Sequence, residues 1–334
     1  MRLLIAFAVT LTAGSAQDRA ALNFLNHGRP MLDAHNCYPY NGQWADRIDR
    51  ALNVLSRTGS PVSIEQDIAW AIDPASGKGR PVVSHTPTTT GAEPALRDYF
   101  FERVRPIVQQ ALASNDHSRW PLIVLHFDFK STERPLLEAV WELLGEYESW
   151  LTTAPKTANP YGLAPFDAKP ILAITEDSDA QEEVFFHAVP VGARLRVFGS
   201  AHTRGLSQAS REQQTHLAAT LPPEALLPDP PNNYRRWWNN SWWEVEEGGQ
   251  AKAGEWTSAK EKRLRALVDR AHRLGYWIRF YTLDGFVSSE DRGRGNDYNF
   301  GSRESAVIRW RAALMAGVDF IATDQYEELA AVMR

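Results

Sequence analysis

The stretch PLIVLHFDFK at residues 121–130 is followed at once by RPLLEAVWELLGEYESWL at residues 134–151. The first is a short apolar run bounded by a proline and rich in strand-forming residues, and it predicts a buried β-strand. The second repeats its apolar residues with the helical period and predicts an amphipathic helix. A strand that leads directly into a helix is the unit from which parallel α/β proteins are built.

The same unit recurs along the chain. Further strands are predicted at 30–35, 61–70, 170–176, 194–201, 276–284 and 318–324, and an eighth within 232–240, where tryptophans obscure the periodicity. Further helices are predicted at 44–57, 95–113 and 258–275, the last with a capping box of Ser258 and Glu261 and a stop at Gly275. Because no glycine-rich phosphate loop follows the first strand, the pattern predicts a single-domain (β/α)8 TIM barrel rather than a doubly wound sheet.

Composition sets limits on function. The chain has 334 residues, enough for one large barrel, and a formal net charge of −5 without a long basic run. A nucleic-acid-binding surface is therefore not expected. Cys37 is the only cysteine, so it forms no internal disulfide, and buried packing is its more common role than catalysis.

The first residues have the features of an export signal. Met1 and Arg2 precede the apolar run LLIAFAVTLTAGSA, which ends in small residues. This pattern predicts a signal peptide at residues 1–16, a barrel at residues 17–334 and a secreted or periplasmic product. No later segment has eighteen uninterrupted apolar residues, so no transmembrane segment is expected in the mature chain.

Two strands carry charged residues at alternating positions. Glu65 and Asp67 share one face of their strand, and His126, Asp128 and Lys130 share one face of theirs. If both faces line the barrel, three carboxylates converge, and a divalent cation with oxygen ligands, Ca²⁺ or Mg²⁺, would remove their repulsion. The alternatives are a solvated edge strand for the first pair, a buried salt bridge between Asp128 and Lys130, and a hydrogen-bonded core position for His126.

His35 ends the first strand, and His85 follows a short extended piece after the second. Each alone would more often be structural. Two histidines beside a bound anion can instead act as base and acid, one taking a proton and the other giving one.

Five segments taken together resemble the phospholipase C-like phosphodiesterase superfamily, which includes the glycerophosphodiester phosphodiesterases. They are HN at 35–36, EQD at 65–67, VVSH at 82–85, DFK at 128–130 and AALMAGVDFIATDQYEEL at 312–329. The resemblance implies cleavage of a phosphodiester by a substrate hydroxyl or by water. It implies a catalytic pair of His35 and His85, metal ligands Glu65, Asp67 and Asp128, and a phosphate contact from Lys130.

The chain departs from the glycerophosphodiesterase pattern in two places. His35-Asn36-Cys37 stands where those enzymes usually have His-Arg-Gly, and Asp128 stands where they usually have glutamate. A His-Asn pair is similar to the phosphoinositide-type phospholipases C, in which the asparagine binds the metal. We therefore expect Asn36 to be a fourth ligand, with a turn cap as the alternative, and a glycerophosphodiester or phospholipid head group as substrate.

Two other functions fit a secreted barrel. A glycoside hydrolase could stack sugars on Trp237, Trp238, Trp242 and Trp243 and use Glu176 as a catalytic carboxylate, although packing is the favoured role for these tryptophans. The second of these functions is that of a non-catalytic barrel that only binds its ligand.

Irregular segments at 84–94, 221–233 and 285–302 are expected to rim the catalytic face of the barrel. The glycine-rich segment 285–302 is further expected to be a mobile lid.

Overall fold

A computed structural model describes residues 24–334 apart from 41–43, 74, 115, 118–119, 121, 207–209, 288 and 290–295. The predicted signal peptide lies outside the described residues. The strands in chain order are β1 Met31–Ala34, β2 Val62–Ile72, β3 Gly79–Val83, β4 Ile123–Phe129, β5 Ala154–Pro155, β6 Ile171–Thr175, β7 Arg194–Leu195, β8 Phe198–Ser200, β9 Arg235–Ser241, β10 Trp277–Tyr281 and β11 Phe320–Thr323.

Eight of these strands form a closed parallel barrel. Their order is β1-β11-β10-β9-β8-β6-β4-β2, and pairing of β1 with β2 closes the ring. The predicted TIM barrel is therefore confirmed, and the eighth strand lies within the tryptophan-rich segment as β9.

The helices between the strands and after the last strand cover the outside of the barrel. They are α1 Arg47–Thr58, α2 Glu102–Ser114, α3 Arg134–Glu146, α4 Asp179–Glu182, α5 Arg211–Thr220, α6 Pro223–Leu226, α7 Ser258–Leu274, α8 Arg303–Ala316 and α9 Tyr326–Val332. Short π-helical turns occur at Arg97–Phe101 and Glu183–His187. Within the described residues, no helix is both long enough and apolar enough to cross a membrane.

The start of α7 differs from the sequence-based expectation. The predicted capping box of Ser258 and Glu261 is wrong, because the backbone is extended one residue earlier, at Thr257, whose hydroxyl accepts a hydrogen bond from the amide of Lys260. The predicted end is confirmed. Gly275 has a φ of 96°, a left-handed conformation that glycine adopts without a steric penalty.

The predicted strand at 194–201 is divided in two. β7 pairs with the short strand β5 outside the barrel, and only β8 joins the barrel. Arg194 and Arg196 bind the surface carboxylates of Asp167 and Glu148, so this part of the segment stays outside. The apolar end at Phe198 is buried instead.

A hairpin extends β2 beyond the barrel. β3 folds back on β2 with Val83 opposite Ile68, and the amide of Ser84 donates to the carbonyl of Asp67 at 2.9 Å. This antiparallel return places the residue after it, His85, beside Asp67.

The segment 221–233 leads through α6 into the amino end of β9. Its expected place among the loops that follow barrel strands is therefore wrong.

The tryptophan cluster belongs to the core. Trp237, Trp238 and Trp242 are fully buried, and the indole of Trp237 donates to the carbonyl of Thr175 at 3.0 Å. The favoured packing role is confirmed for these three, and a sugar-stacking surface is not formed by them. Cys37 is likewise buried, and burial raises the pKa of its thiol to about 12, which agrees with the packing role expected for it.

Candidate active site

Parallel pairing of β2 with β4 brings the predicted charged residues together. Glu65 lies opposite His126 in the register, and Asp67 lies opposite Asp128. Glu65, Asp67 and Asp128, which we call the carboxylate trio, offer oxygens that all lie within 4.8 Å of one another. The alternative of a solvated edge strand is wrong for Glu65 and Asp67, because both are buried inside a closed barrel.

One oxygen of each carboxylate in the trio is bound by a basic side chain. Arg279 in β10 donates to Oε2 of Glu65. Lys130 lies 3.0 Å from Oδ2 of Asp67 and donates to Oδ2 of Asp128 at 2.7 Å. The salt bridge between Asp128 and Lys130 that the sequence offered as an alternative is thus present, and the same lysine also contacts Asp67.

The second oxygens of Asp67 and Glu65 are bound much less completely. Oδ1 of Asp67 is buried and has no hydrogen-bond partner among the described residues. Oε1 of Glu65 has the imidazole of His35 as a neighbour, with Nε2 at 3.7 Å. Burial raises the pKa of Glu65, and the positive charges of His35 and Arg279 oppose that shift. A divalent cation with a preference for oxygen ligands fits this donor set.

A neighbouring set of potential ligands is already filled by the protein. Asp33, Glu65 and His126 also lie within coordinating distance of one another. The guanidinium of Arg279 donates to both Asp33 and Glu65 and to Oδ1 of Asn239 at 3.1 Å. A side-chain cation therefore occupies this deeper position, and the trio is the better candidate for a metal ion.

His35 is held by a carboxylate that sequence reasoning did not assign. Its Nδ1 lies 2.8 Å from Oδ1 of Asp324, which follows β11. Arg47 lies 3.2 Å from Oδ2 of the same carboxylate. Burial alone would lower the pKa of His35, but Glu65 and Asp324 outweigh it and raise that pKa to about 9. Because Nδ1 is engaged, Nε2 is the atom left to exchange a proton with a ligand.

His85 is oriented from two sides. Its Nδ1 lies 2.7 Å from Oδ2 of Asp67 and 3.0 Å from the hydroxyl of Tyr38, whose ring stacks on the imidazole with a centroid distance of 5.3 Å. The side chain of His85 is 47% exposed, so a ligand can reach the imidazole from solvent. The structure therefore brings His35 and His85 to the same group of carboxylates.

Both ends of the side-chain amide of Asn36 are engaged by other residues of the site. Its Nδ2 donates to Oδ2 of Asp324 at 3.1 Å, and its Oδ1 accepts from the hydroxyl of Tyr38 at 2.6 Å. Its φ of 56° is the left-handed conformation of a turn, in which asparagine is favoured. The turn role is thus visible in the geometry, and the role as a metal ligand stays a prediction.

Four residues of the site were not found from sequence. Asp324 stands at the end of the last strand, in the ATD of the segment that carries the family resemblance, and that position was a usable signal. Arg279 interrupts the apolar strand WIRFY, which is also unusual. Arg47 and Tyr38 gave no signal, because their contacts with Asp324 and His85 are made only in the folded chain.

The core position expected for His126 is confirmed, whereas the lid expected at 285–302 is not tested. His126 is fully buried and hydrogen-bonded to Glu176 at 2.8 Å, as expected of a core histidine. Tyr298, in the second half of the segment, has its ring edge against His35 with a centroid distance of 5.7 Å. Most of the charged and glycine positions proposed for the lid lie outside the described residues, so the lid stays a prediction.

No protein-family model matches this chain, and no curated protein matches it. Among solved structures, it is similar to a glycerophosphoryl diester phosphodiesterase from Parabacteroides distasonis, with 14% identity over 96% of this chain and 88% of that chain and a TM-score of 0.41. A protein of Silicibacter pomeroyi with the provisional name glycerophosphoryl diester phosphodiesterase gives 14% identity, 94% and 97% coverage and a TM-score of 0.47.

The HPPK-DHPS protein of Plasmodium falciparum gives 10% identity over 91% of this chain and 47% of that chain, with a TM-score of 0.43. Similarities at this level carry no statement about chemistry, which has to be inferred from the side chains of the site.

Proposed function

We propose that the protein is a hydrolase of phosphodiesters of the glycerophosphodiester or phospholipid head-group type and that it depends on a divalent cation, Ca²⁺ or Mg²⁺. The observation that carries this proposal is the half-bound state of the carboxylate trio. Each carboxylate has one oxygen fixed by a basic side chain, one oxygen of each lies within 4.8 Å of the others, and Oδ1 of Asp67 is buried without a hydrogen-bond partner among the described residues.

Glu65, Asp67 and Asp128 would hold the cation, with Asn36 as the candidate fourth ligand. When bound, the cation would neutralise the non-bridging phosphate oxygens and make phosphorus easier to attack. Lys130 supplies a second positive charge at the same place, and its side chain is 18% exposed, so a phosphate oxygen can reach it.

The two imidazoles would manage the protons of the displacement. As the oxygen of water or of a substrate hydroxyl forms its bond to phosphorus, one imidazole takes its proton. As the bond from phosphorus to the leaving oxygen breaks, the other imidazole gives that oxygen a proton. Asp324 and Asp67 bind Nδ1 of His35 and His85 respectively, which leaves both Nε2 atoms for these transfers.

The test is turnover of methyl 4-nitrophenyl phosphate, a diester that offers no head group to recognise. We expect hydrolysis with Ca²⁺ or Mg²⁺ and its loss in excess chelator, restored when the ion is added back. Equal rates with and without chelator would overturn the metal dependence. A protein that hydrolyses no diester but cleaves glycosides, or does neither, would instead support the glycoside hydrolase or the non-catalytic barrel.

We also propose that the chain is exported, because of the sequence pattern at residues 1–16. The test is expression in a bacterial host followed by amino-terminal sequencing of the product outside the cytoplasm. A mature product beginning at Gln17 would support the proposal, and an uncleaved cytoplasmic product would contradict it.

A further inference from the structure

A group of potential metal ligands that shares no residue with the carboxylate trio lies after β6 and β8. Asp179 and Glu182 are the first and last residues of α4, which follows β6, and His202 follows β8. One ligand atom of each side chain lies within 4.8 Å of those of the other two. These three residues, which we call the His202 cluster, have no part in the proposed phosphate chemistry.

The imidazole of His202 is oriented as metal-binding histidines are. Its Nδ1 lies 2.7 Å from Oδ1 of Asp177, and an imidazole that donates from Nδ1 to a carboxylate carries its lone pair on Nε2. The side chain is 30% exposed, so an ion can reach it from solvent. His216 and His272 also bind a carboxylate, but within the described residues neither belongs to a group of three potential ligands.

The charges around His202 favour a cation. Arg235 donates to Oε2 of Glu182 and to Oδ1 of Asp177 at 2.9 Å, and it also donates to the carbonyl of Ser200 at 2.5 Å. Its side chain is only 8% exposed, so this guanidinium lies on the buried side of the cluster. The three carboxylates of Asp177, Asp179 and Glu182 exceed its charge by two, which is the charge of a divalent ion.

The donor set and the space beside it suit a transition-metal ion. An imidazole nitrogen together with carboxylate oxygens is typical of Zn²⁺ sites, whereas Ca²⁺ and Mg²⁺ prefer oxygen ligands alone. Glu182 and His202 also line a cavity of about 210 Å³, which has room for the water that completes the coordination of such an ion. Arg204 and Asp229 in the same lining lie 3.4 Å apart, so their charges balance.

We propose that the His202 cluster binds Zn²⁺, through Nε2 of His202 and one oxygen each of Asp179 and Glu182, and that Asp177 orients the imidazole. The ion would connect the segments that follow β6 and β8. β8 has three residues and is the shortest strand of the barrel. A cross-link at its carboxyl end would therefore stabilise the barrel where strand pairing is short.

The test is calorimetric titration of Zn²⁺ into the protein in the presence of excess Mg²⁺, an ion that suits the trio but not a nitrogen ligand. We expect one Zn²⁺ to bind. Asp177→Asn should lower the affinity roughly tenfold to a hundredfold, the usual effect of losing such a partner, and His202→Ala should lower it further. His216→Ala, which removes another exposed histidine bound to a carboxylate, is the matched control and should bind Zn²⁺ as the wild type does.

Thermal unfolding gives a second measurement of the same site. Zn²⁺ should raise the melting temperature of the wild type and of His216→Ala but not that of His202→Ala, because an ion that binds only the folded state stabilises it. If His202→Ala fails to fold, Asp179→Asn at an exposed position replaces it in both measurements.

Three results would overturn the inference. They are a wild type that binds no Zn²⁺ in excess Mg²⁺, wild-type affinity in His202→Ala, and an equal loss in His216→Ala. Loss of Zn²⁺ binding in Asp67→Asn would also overturn it, because the ion would then occupy the trio. Neither measurement needs a substrate, so failure of the proposed function would leave this inference standing.

Discussion

Two clusters of buried charged side chains, one around Glu246 and the other around the carboxylate trio, differ in how completely their carboxylate oxygens are bound by donors of the protein. Glu246 is 2% exposed, and Arg309 donates to both of its oxygens, at 2.8 and 2.9 Å. Trp242 donates to one of those oxygens at 2.8 Å, and Lys260 lies 2.6 Å from the other. Every acceptor is occupied by the protein itself, so this network has a structural role.

The carboxylate trio is built differently. Oδ1 of Asp67 is buried without a hydrogen-bond partner among the described residues, although Lys130 and His85 bind the other oxygen. Leaving a buried acceptor unpaired costs about 1–3 kcal/mol, so folding alone would not favour it. Saturation of the individual oxygens, rather than the number of charges, therefore separates a binding site from a structural ion pair.

The largest expected effect concerns the two histidines. His35→Ala and His85→Ala should each lower kcat by about two to four orders of magnitude, because each loses a group that transfers a proton. The measurement is steady-state hydrolysis of a diester with a poor leaving group, since a good one would mask loss of the acid. His272→Ala, which removes another Asp-bound histidine outside the site, is the control. A near-normal rate for either site variant would make that histidine structural.

A substitution in the network around Glu246 should lower stability rather than activity. Glu246→Gln leaves Arg309 and Lys260 without their counter-charge, and we expect the free energy of unfolding to fall by about 3 kcal/mol, as for other broken buried pairs. Denaturant unfolding measures this. Metal binding and kcat should stay near the wild-type values in the folded variant, and a loss of metal affinity would remove the distinction between the two groups.

A variant of Asn36 tests whether the metal site has a fourth ligand in addition to the carboxylate trio. Because its φ is 56°, alanine would strain the backbone and confuse the result, whereas Asn36→Gly keeps that conformation. If the amide is a ligand, the cation concentration for half-maximal activity should rise roughly tenfold. An unchanged concentration together with a lower melting temperature would assign Asn36 to the turn and to the bonds with Asp324 and Tyr38.

The smallest effect is expected from a histidine and aspartate pair remote from the trio. Burial opposes the charge of His272, but its hydrogen bond to Asp319 outweighs burial and raises the pKa. A raised folded-state pKa gives stability that is complete below the unfolded value near 6.5 and lost as pH rises through the folded value. The partly exposed pair should contribute less than about 1 kcal/mol. Unfolding of wild type and His272→Gln from pH 5.5 to 8.5 should therefore converge at high pH, and a constant difference would contradict the assignment.

Much of this architecture could be predicted from sequence. The features that could not be predicted depend on contacts between distant segments of the chain. Alternating strand and helix periods predict the barrel, and the period-two spacing of Glu65 with Asp67 and of His126 with Asp128 predicts their shared face. Which oxygen of each carboxylate is bound could not be predicted, because Arg279 and Asp324 reach the site from the far end of the chain. The division of the strand at 194–201 was missed because pairing of β7 with β5 overrides local propensity.

The metal site is tested by calorimetric titration of Ca²⁺ and of Mg²⁺ into the metal-free protein and into the variants Asp67→Asn and Glu246→Gln. Asp67 carries the buried oxygen without a partner, so we expect the wild type to bind one ion and Asp67→Asn to lose at least roughly tenfold in affinity. Glu246→Gln should bind like the wild type. A wild-type protein that binds neither ion, or an Asp67→Asn variant with wild-type affinity, would contradict the claim that the half-bound carboxylates form a metal site.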